Sequence, residues 1–437
     1  QDRGRTEAGA MTTAVLVLTF VILFVLRVPV TAAIGVSCIL ALLVGGYPLS
    51  QIPRFMTSGI ESFVLLAVPF FILVGNLLNA GGATQRIFNF AEAVLGRIPG
   101  SLAQVNVGAS MIFAGMSGAA IADAAGLGTI EIKAMRDAGY RPAFAAAVTL
   151  ASAVIGPIIP PSIIMIIYAA ATGTSAGRMF LAGVVPGVLI GLILMIYIFV
   201  LAKTGREQCP SIRAFSFQRI RSTAWQGSLA LVAPLIIVGG MVSGAVTPTE
   251  AGVVAAFYAL AIGFAYRGFT RANLWATFRE SGLMAASIMY LIAVSAVMSW
   301  ILTVEGSGHK LAAAIAAVTD NRILALLLMN LFLIGLGLIL ETAPAILITS
   351  TLLLPVAQSF GVDPVHFGII LCFNLLIGII TPPMGIGLYV IAGVARLRVE
   401  EVIRSSLPFL IPLLVALVVI TYVPSLSLWL PNLVFGP

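Results

Sequence analysis

Charge is scarce in this sequence: 9% of its 437 residues are Asp, Glu, Lys or Arg. A soluble domain carries roughly a quarter, so a soluble globular protein is excluded. Histidine is nearly absent. The two present, His309 and His366, read as loop-facing, and no spacing suggests a zinc site. Cys38, Cys209 and Cys372 are the only cysteines. They lie far apart with no CxxC pair, which argues against a disulfide framework or a thiolate metal site. There is no GxxxxGK[ST] phosphate loop, so any drive must come from an ion gradient or a separate partner. No Ser/His or paired-Asp arrangement at helical spacing supports an intramembrane hydrolase, and the chain does not read as an enzyme.

What the sequence has instead is apolar length. Sixty per cent of its residues are hydrophobic and the mean hydropathy is +1.12. The chain is an integral, polytopic membrane protein, and every backbone polar group inside lipid must find a partner. Long apolar runs without alternation favour helices over a barrel. The net charge of +7 is no nucleic-acid signal, because the basic residues fall in loops between spans. Residues 1–10 read as a polar tail, a linker or the end of a preceding unit. The run Thr12 to Leu26 lacks a basic segment directly before it, and another span follows at once, which argues against a cleaved signal peptide.

Full crossings are expected at about 12–26, 29–45, 61–80, 142–172, 178–202, 226–244, 250–266, 282–303, 364–395 and 406–424. Two further segments do not fit a crossing. Ser101 to Met116 is apolar over only ~24 Å of helix, short of a ~30 Å hydrocarbon core; the break Ser117-Gly118 and a second short helix follow. The same layout recurs as Ile323–Leu340, the break from Glu341 to Pro344, then Ala345–Val356. Both read as re-entrant hairpins whose tips depend on burial in protein.

An internal repeat ties these segments together. AGYRPAFAAAVTLASAVIGPIIPP (138–161) lies over FGVDPVHFGIILCFNLLIGIITPP (360–383) without a gap. Gly139 falls on Gly361, Pro142 on Pro364, Gly156 on Gly378 and Pro160-Pro161 on Pro382-Pro383. At the same offset of 222, Pro186 falls on Pro408. Counting crossings makes the two repeats inverted, the pattern of many secondary carriers. Seventeen basic residues fall on one side and six on the other. The positive-inside rule therefore makes the first side cytoplasmic, with both termini outside.

Proline removes a donor and frees carbonyls in the turn before it. Around Gly156–Pro161 and Gly378–Pro383, freed carbonyls can ligate a hard cation. Half-helices expected to restart at Ser162 and Met384 aim positive N-terminal ends at the same level. An inverted pair of such breaks, each facing a hairpin tip, makes a central site for Na⁺ and an anionic substrate; a plain proline kink is the bland alternative. Ser117, Gly118, Thr342 and Pro344 at the tips read as ligand contacts or as helix capping, Ser or Thr being the N-cap. Thr381 is the best single hydroxyl ligand, and its repeat counterpart is Ile159.

Acids in apolar surroundings require a reason. Asp123 and Glu341 flank the tips and either tune ion sites, relay protons or bond their own hairpins. Thr247-Pro248-Thr249-Glu250 reads as a capping box, and Glu61 as an interfacial helix start. Asn106, Asn330 and Asn374 read as glue between helices more than as ligands.

GMSGAAIADAAGLGTIEIKAM (115–135), GPIIPPS (156–162), TPTEAG (247–252) and GIITPPMGIGLYV (378–390), in this order, resemble the large membrane subunit of tripartite ATP-independent periplasmic (TRAP) transporters, over nearly the whole chain from Met11. The resemblance implies an all-α, elevator-type fold of inverted repeats in a bacterial or archaeal inner membrane. It implies Na⁺-coupled uptake of a small organic acid, with a periplasmic substrate-binding protein and a small four-helix membrane subunit as partners. A transport domain would comprise 99–175 (hairpin 101–138, broken helix 142–172) and 304–396 (arm 305–320, hairpin 322–357, broken helix 364–395). Residues 11–98, 176–303 and 397–437 would form the scaffold. Carried over, the ion sites fall on Ser117, Gly118, Gly156 and Pro160, and on Thr342, Gly378, Thr381 and Pro382; Ile159 in place of Thr381 makes the two unlike. Substrate contacts fall on Ser117, Gly118, Ser162, Thr342, Pro344 and Met384. The alternatives are a stand-alone carrier for dicarboxylates without a binding protein, and an ion channel, which would show pore loops without hairpin–broken-helix pairs.

Overall fold

A computed structural model describes residues 2–118, 120–210, 216–382 and 385–436, with the backbone alone for 2–10, 117, 121, 122 and 125. Arg213, Pro383 and Met384 lie outside the described residues, as do the side chains of Arg3, Arg5 and Ser117. Among the described residues the chain is helical, with no strand.

The chain opens with α1 (Asp2–Val25), α2 (Val30–Val44), α3 (Gln51–Ile60), α4 (Ala67–Ala80) and α5 (Ala83–Leu95). Hairpin one is α6 (Ser101–Ser117) and α7 (Ala120–Asp137); the first broken rod is α8 (Pro142–Ala153) and α9 (Ile163–Thr172). Then come α10 (Ala176–Lys203), α11 (Phe217–Val242), α12 (Pro248–Ala265), α13 (Arg271–Val304) and α14 (Ser307–Val318). Hairpin two is α15 (Arg322–Gly337) and α16 (Thr342–Ser359), and the second rod is α17 (Pro364–Ile380) and α18 (Ile386–Ala395). The chain ends in α19 (Val399–Ser406), α20 (Leu410–Tyr422) and α21 (Ser425–Phe435).

Seven helical segments among the described residues are long and apolar enough to cross a membrane. One of them, Thr342–Ser359, is a hairpin leg. Both rods fall outside that set because each is split. Length and composition therefore find apolar helices without telling a crossing from a hairpin.

The repeat is visible in local geometry. Gly139 and Gly361 both take a left-handed turn, φ 90° and 69°, a conformation that costs glycine nothing. Pro142 and Pro364 both stand at the first helical position, where a missing N–H and a fixed φ suit the helix. In the second repeat Asp363 caps the rod, its carboxylate accepting from the backbone N–H of Val365 at 2.7 Å and of His366 at 3.3 Å. The rods then differ. α8 stops at Ala153, so Gly156 lies inside a long break, whereas α17 runs through Gly378 to Ile380. The shared proline also diverges. Pro186 sits inside a continuous α10, while Pro408 falls in a 3-10 turn between α19 and α20.

From Phe144 to Ala153 and from Val365 to Ile380 every residue is buried. Helices apolar all round belong in a core, and these two form its axis. Their directions are opposed. The Tyr140 hydroxyl donates to Gly100 O at 3.0 Å, closing the base of hairpin one beside the start of α8. Arg136 donates to Ala395 O at 3.3 Å, bringing the end of the second rod to that same base. At the other end, the Tyr168 hydroxyl near the end of the first rod donates to Pro364 O at 2.7 Å, where the second begins. The Tyr422 hydroxyl donates to Ile323 O at 3.0 Å, bringing the foot of hairpin two to α20. His366, expected in a loop, is wholly buried in α17, its Nε2 3.2 Å from Thr421 O. The hairpins thus open to opposite ends of the bundle.

Several boundaries differ from expectation. Glu61 closes α3 as its C-cap rather than starting a helix. α13 runs 34 residues, roughly 50 Å, because Thr270 and Asn273 form a capping box well before the apolar stretch. The Thr247–Glu250 box is present as read, each side chain bonded to the other's backbone N–H. α3, α5, α19 and α21 were not anticipated; α3 and α19 are short and amphipathic. α1 takes in most of the expected tail, from Asp2. On the outside, α11, α12 and α13 expose Leu235, Phe257 and Tyr290, as lipid-facing helices do.

Hairpin two meets the second rod glycine to glycine. A β-carbon on Gly378 would overlap the Gly337 backbone. Gly378→Ala should therefore lower the thermal midpoint of the purified protein, by about 1–3 kcal/mol of overpacking. Gly335→Ala, where nothing lies within 4 Å of the added carbon, should leave the midpoint unchanged.

Candidate functional site

Each hairpin turns at a point of close backbone approach. Hairpin one turns at Gly118, φ 66° and ψ 14°. A β-carbon at Gly118 would overlap the Pro161 carbonyl and lie 3.3 Å from Ile163 N. The tip therefore rests directly on the restart of the first rod. Gly115, one turn earlier, packs on the Pro234 ring of α11, and a β-carbon there would lie 3.7 Å from Pro160 O. Hairpin two turns through Leu338–Glu341, and a small cleft there is lined by Gly337–Thr342 with Ile379 and Ile386 from both sides of the second break.

The broken backbone leaves carbonyls uncovered. Among the described residues, no backbone N–H donates to the carbonyls of Gly156, Ile158, Ile159, Pro160 or Pro161 in the first break, nor to those of Ile379, Ile380 or Pro382 in the second. Proline explains part of this, since Pro157, Pro160, Pro161 and Pro382 have no N–H to give. Buried carbonyls are normally paired, so clusters of uncovered ones are candidate cation ligands.

The Ser162 side chain is already engaged. Its hydroxyl donates to Pro157 O and accepts from Met165 N, capping α9. The helix restarts after Ser162 as expected, but this hydroxyl serves the backbone. In the second rod the restart is at Ile386 with Gly385 before it, two residues beyond the expected Met384. Thr381 donates its hydroxyl to Ile377 O at 2.7 Å, and its carbonyl accepts from Gly385 N at 3.1 Å. Donation leaves the hydroxyl oxygen's lone pairs able to accept or ligate.

The caps at the tips differ from expectation. Ser117 closes α6, with Gly118 as C-cap, so it is not an N-cap. At hairpin two the N-cap is Glu341; Thr342 is the first helical residue and Pro344 the third, both buried. The start of α16, whose N-cap Glu341 makes no side-chain cap, presents backbone N–H groups near the second break; at the start of α9 the Ser162 hydroxyl takes the Met165 N–H and leaves the others. Those ends favour an anion. Asp123 is buried on α7 with a carboxylate oxygen against Gly156 Cα, so that a β-carbon on Gly156 would collide with it. Glu341 is exposed at the mouth of the second cleft.

The structure thus sets Gly118 on Pro161, next to Pro160 in the break that holds Gly156, and sets Gly337 on Gly378, with Thr342 lining the same small cleft as Ile379. Thr381 caps the end of α17, its N–H donating to Gly378 O at 3.1 Å, and Pro382 follows it. The three asparagines are glue, as read. Asn106 donates to Thr149 Oγ1 at 2.7 Å and accepts from Ser152 Oγ at 2.7 Å, tying α6 to α8. Asn374 donates to Asn330 Oδ1 at 2.7 Å, and Asn330 to Thr421 Oγ1 at 3.1 Å, tying α15, α17 and α20. Ser152 and Asn374 are repeat counterparts at the offset of 222.

Sequence reasoning missed Glu131, buried on α7, and Gly337. Glu131 carried a signal, a carboxyl set directly between Ile130 and Ile132. Gly337 carried none, since only its partner across the contact distinguishes it from Gly335.

Comparison with known proteins agrees with this architecture. Residues 17–426 match the family model described as tripartite ATP-independent periplasmic transporter, DctM component. The chain is 43% identical over 385 residues to the sialic acid TRAP transporter large permease protein SiaM of Vibrio cholerae, covering 87% of this chain and 89% of that one. It is 40% identical over 382 residues to the C4-dicarboxylate TRAP transporter large permease protein DctM of Pseudomonas aeruginosa, covering 87% and 88%. It is 36% identical over 372 residues to the 2,3-diketo-L-gulonate TRAP transporter large permease protein YiaN of Escherichia coli, covering 85% and 87%. The crystal structure of the Alcanivorax borkumensis YdaH transporter, noted for an unusual topology, superposes with a TM-score of 0.65 over 97% of this chain and 100% of that one. At 17% identity that likeness concerns the fold alone. Paired hairpins, inverted broken rods and the family match lead to one conclusion: the chain belongs to the DctM family and is the large membrane subunit of a TRAP transporter.

Proposed function

We propose that this subunit imports a small organic acid by cotransport with Na⁺, moving its hairpins and broken rods as one body against the remaining helices. The observation that carries this reading is the meeting of each hairpin tip with the break of a rod, where carbonyls lack backbone donors. Na⁺ is a hard cation suited to such oxygens. Gly118, Gly156 and Pro160, with Ser117, would supply the first ion site; Thr342, Gly378, Thr381 and Pro382 would supply the second. An anionic substrate would lie between the helix starts at Ser162, Thr342 and Ile386, touching Pro344 and, from the sequence, Met384, and drawn by the positive poles of those starts.

The relatives named above are described by sialic acid, C4-dicarboxylate and diketogulonate, and all three are carboxylates. A carboxylate is accordingly the proposed cargo here. A periplasmic binding protein would deliver it, and a small membrane subunit would pack on the outer helices. The side holding Arg141, Lys203 and Arg396 would face the cytoplasm of an inner-membrane cell, with both termini outside.

Uptake into proteoliposomes containing this subunit, a small membrane subunit and a loaded binding protein tests the reading. An inward Na⁺ gradient should drive accumulation, and an equal K⁺ gradient should not. Accumulation that persists without the binding protein would favour the stand-alone carrier instead. Thr381→Val should raise the half-activating Na⁺ concentration by roughly tenfold, the loss of about one polar contact, at unchanged expression; unaltered Na⁺ activation would remove Thr381 from the site. Orientation has its own test. Cys209 lies in the loop after α10, its thiol pushed up to about 11 by burial and by the Glu207 carboxylate. A membrane-impermeant maleimide should label Cys209 only from the cytoplasmic face, and faster as the pH is raised, because the thiolate is the reacting form.

A further inference from the structure

Glu131 is the most deeply buried carboxyl in the chain's described residues, 1% exposed, and the transport reading does not use it. It lies on α7, about three and a half turns from Gly118, with Ser110 of α6 and Thr149 of α8 as its polar neighbours. Its Oε1 is buried and has no hydrogen-bond partner.

Among the described residues, no cation on the helices packed against α7 reaches it. The sequences of α6 and α8 contain no titratable residue. On α7 itself, Lys133 is exposed and Arg136 donates to Ala395 O; the charged group acting on Glu131 is Asp123, of like sign. On α5, Arg86 is held by Gly82 O at 2.8 Å and lies 3.8 Å over the Tyr266 ring, while Glu92 is paired with Arg219 at 2.6 Å. On α18 the one titratable side chain is Tyr389, which is exposed. An ionised carboxylate here would be a buried charge without compensation, which costs several kcal/mol.

Counting hydrogens around Glu131 gives the same answer. Asn106 donates through Nδ2 to Thr149 Oγ1 at 2.7 Å, so the Thr149 hydroxyl hydrogen is available to Glu131. Ser152 donates to Asn106 Oδ1 at 2.7 Å, with Thr149 O a second acceptor at 3.0 Å; an amide or carbonyl oxygen can only accept. Ser152 must therefore accept from Ser110, whose hydroxyl lies 3.0 Å away and donates to it. That commits the Ser110 hydrogen. Toward Glu131, Ser110 can act only as an acceptor, and the missing donor has to come from Glu131 itself.

We propose that Glu131 binds a proton, and that the resulting carboxylic acid closes a ring through Ser110, Ser152, Asn106 and Thr149 that locks hairpin one to the first rod. Glu131 is a positioning residue: the ring keeps the Gly118 tip and the Gly156 break moving together. The second repeat makes the equivalent link with neutral amides alone, Asn330 to Asn374.

Three forms of the purified full-length chain decide the matter by infrared spectroscopy and thermal denaturation. Wild type should show the carbonyl-stretch band of a protonated carboxyl at neutral pH, and Glu131→Gln should lose part of it. Glu131→Gln supplies an N–H where the acid has its O–H, so its thermal midpoint should stay within about 2 °C of wild type. Glu131→Leu, which can neither donate nor accept, should fall by several degrees. An unchanged band in Glu131→Gln, a fall in its midpoint to the level of Glu131→Leu, or a silent Glu131→Leu would each overturn the proposal. Should neither variant fold, the wild-type spectrum decides: a protonated-carboxyl band that survives at alkaline pH supports the proposal, and its absence ends it. None of these readouts depends on substrate or Na⁺, so they stand apart from the transport reading.

Discussion

Inside a bilayer a peptide carbonyl that loses its N–H partner has no water to turn to, and this fold is arranged around that difficulty. Its two central rods are interrupted where Pro157, Pro160, Pro161 and Pro382 withdraw donors. The exposed carbonyls are then buried in protein: each break is covered by a hairpin tip, and the rod halves leading into the breaks are enclosed on all sides from Phe144 to Ala153 and from Val365 to Ile380. The tips can come so close because glycine occupies the contacts, Gly118 against Pro161 and Gly337 against Gly378. Burial without donors makes such oxygens available to a cation, and the adjacent helix starts hold a positive pole for an anion. One constraint thus accounts for the breaks, the hairpins and the glycines together.

The two halves solve the problem differently. Their entry turns match, Gly139 with Gly361 and Pro142 with Pro364. Beyond that they part. The first break is long and is closed by the Ser162 hydroxyl folding back on Pro157 O. The second is short, and Thr381 stands where the first repeat has Ile159. Each hairpin is fastened to its rod by a buried polar link, a hydroxyl-rich ring in one half and an asparagine pair in the other. Inverted repeats are therefore compatible with two chemically unlike sites, and a transporter needs that if the two have separate tasks.

Much of the architecture was legible in the sequence, because backbone breaks in lipid require proline and glycine and those residues recur at a fixed offset. The two hairpins, the two broken rods and their inversion follow from that spacing; the capping box at Thr247 follows from the local run Thr247-Pro248-Thr249-Glu250. What was hidden depends on the third dimension. Short amphipathic helices such as α3 and α19 lack the apolar length that marks a span. His366 reads as a loop residue because it follows Pro364 closely, yet the rod carries it into the core. Gly378 was read as part of the break, but α17 continues through it, since the contact with Gly337 asks for a small residue and not for a broken helix. Glu131 escaped notice because its partners are on two other helices, at i, i+4 on α6 and i, i+3 on α8, and no linear motif records their convergence.

The claim on which the account rests is that the uncovered carbonyls at the two breaks take up sodium. Equilibrium binding of radiosodium to the purified subunit, with potassium and choline as competitors, addresses it most directly. The account predicts saturable uptake of more than one ion per chain, resistant to a large excess of either competitor. Binding that fails to saturate, or that potassium displaces as readily as sodium does, would contradict it.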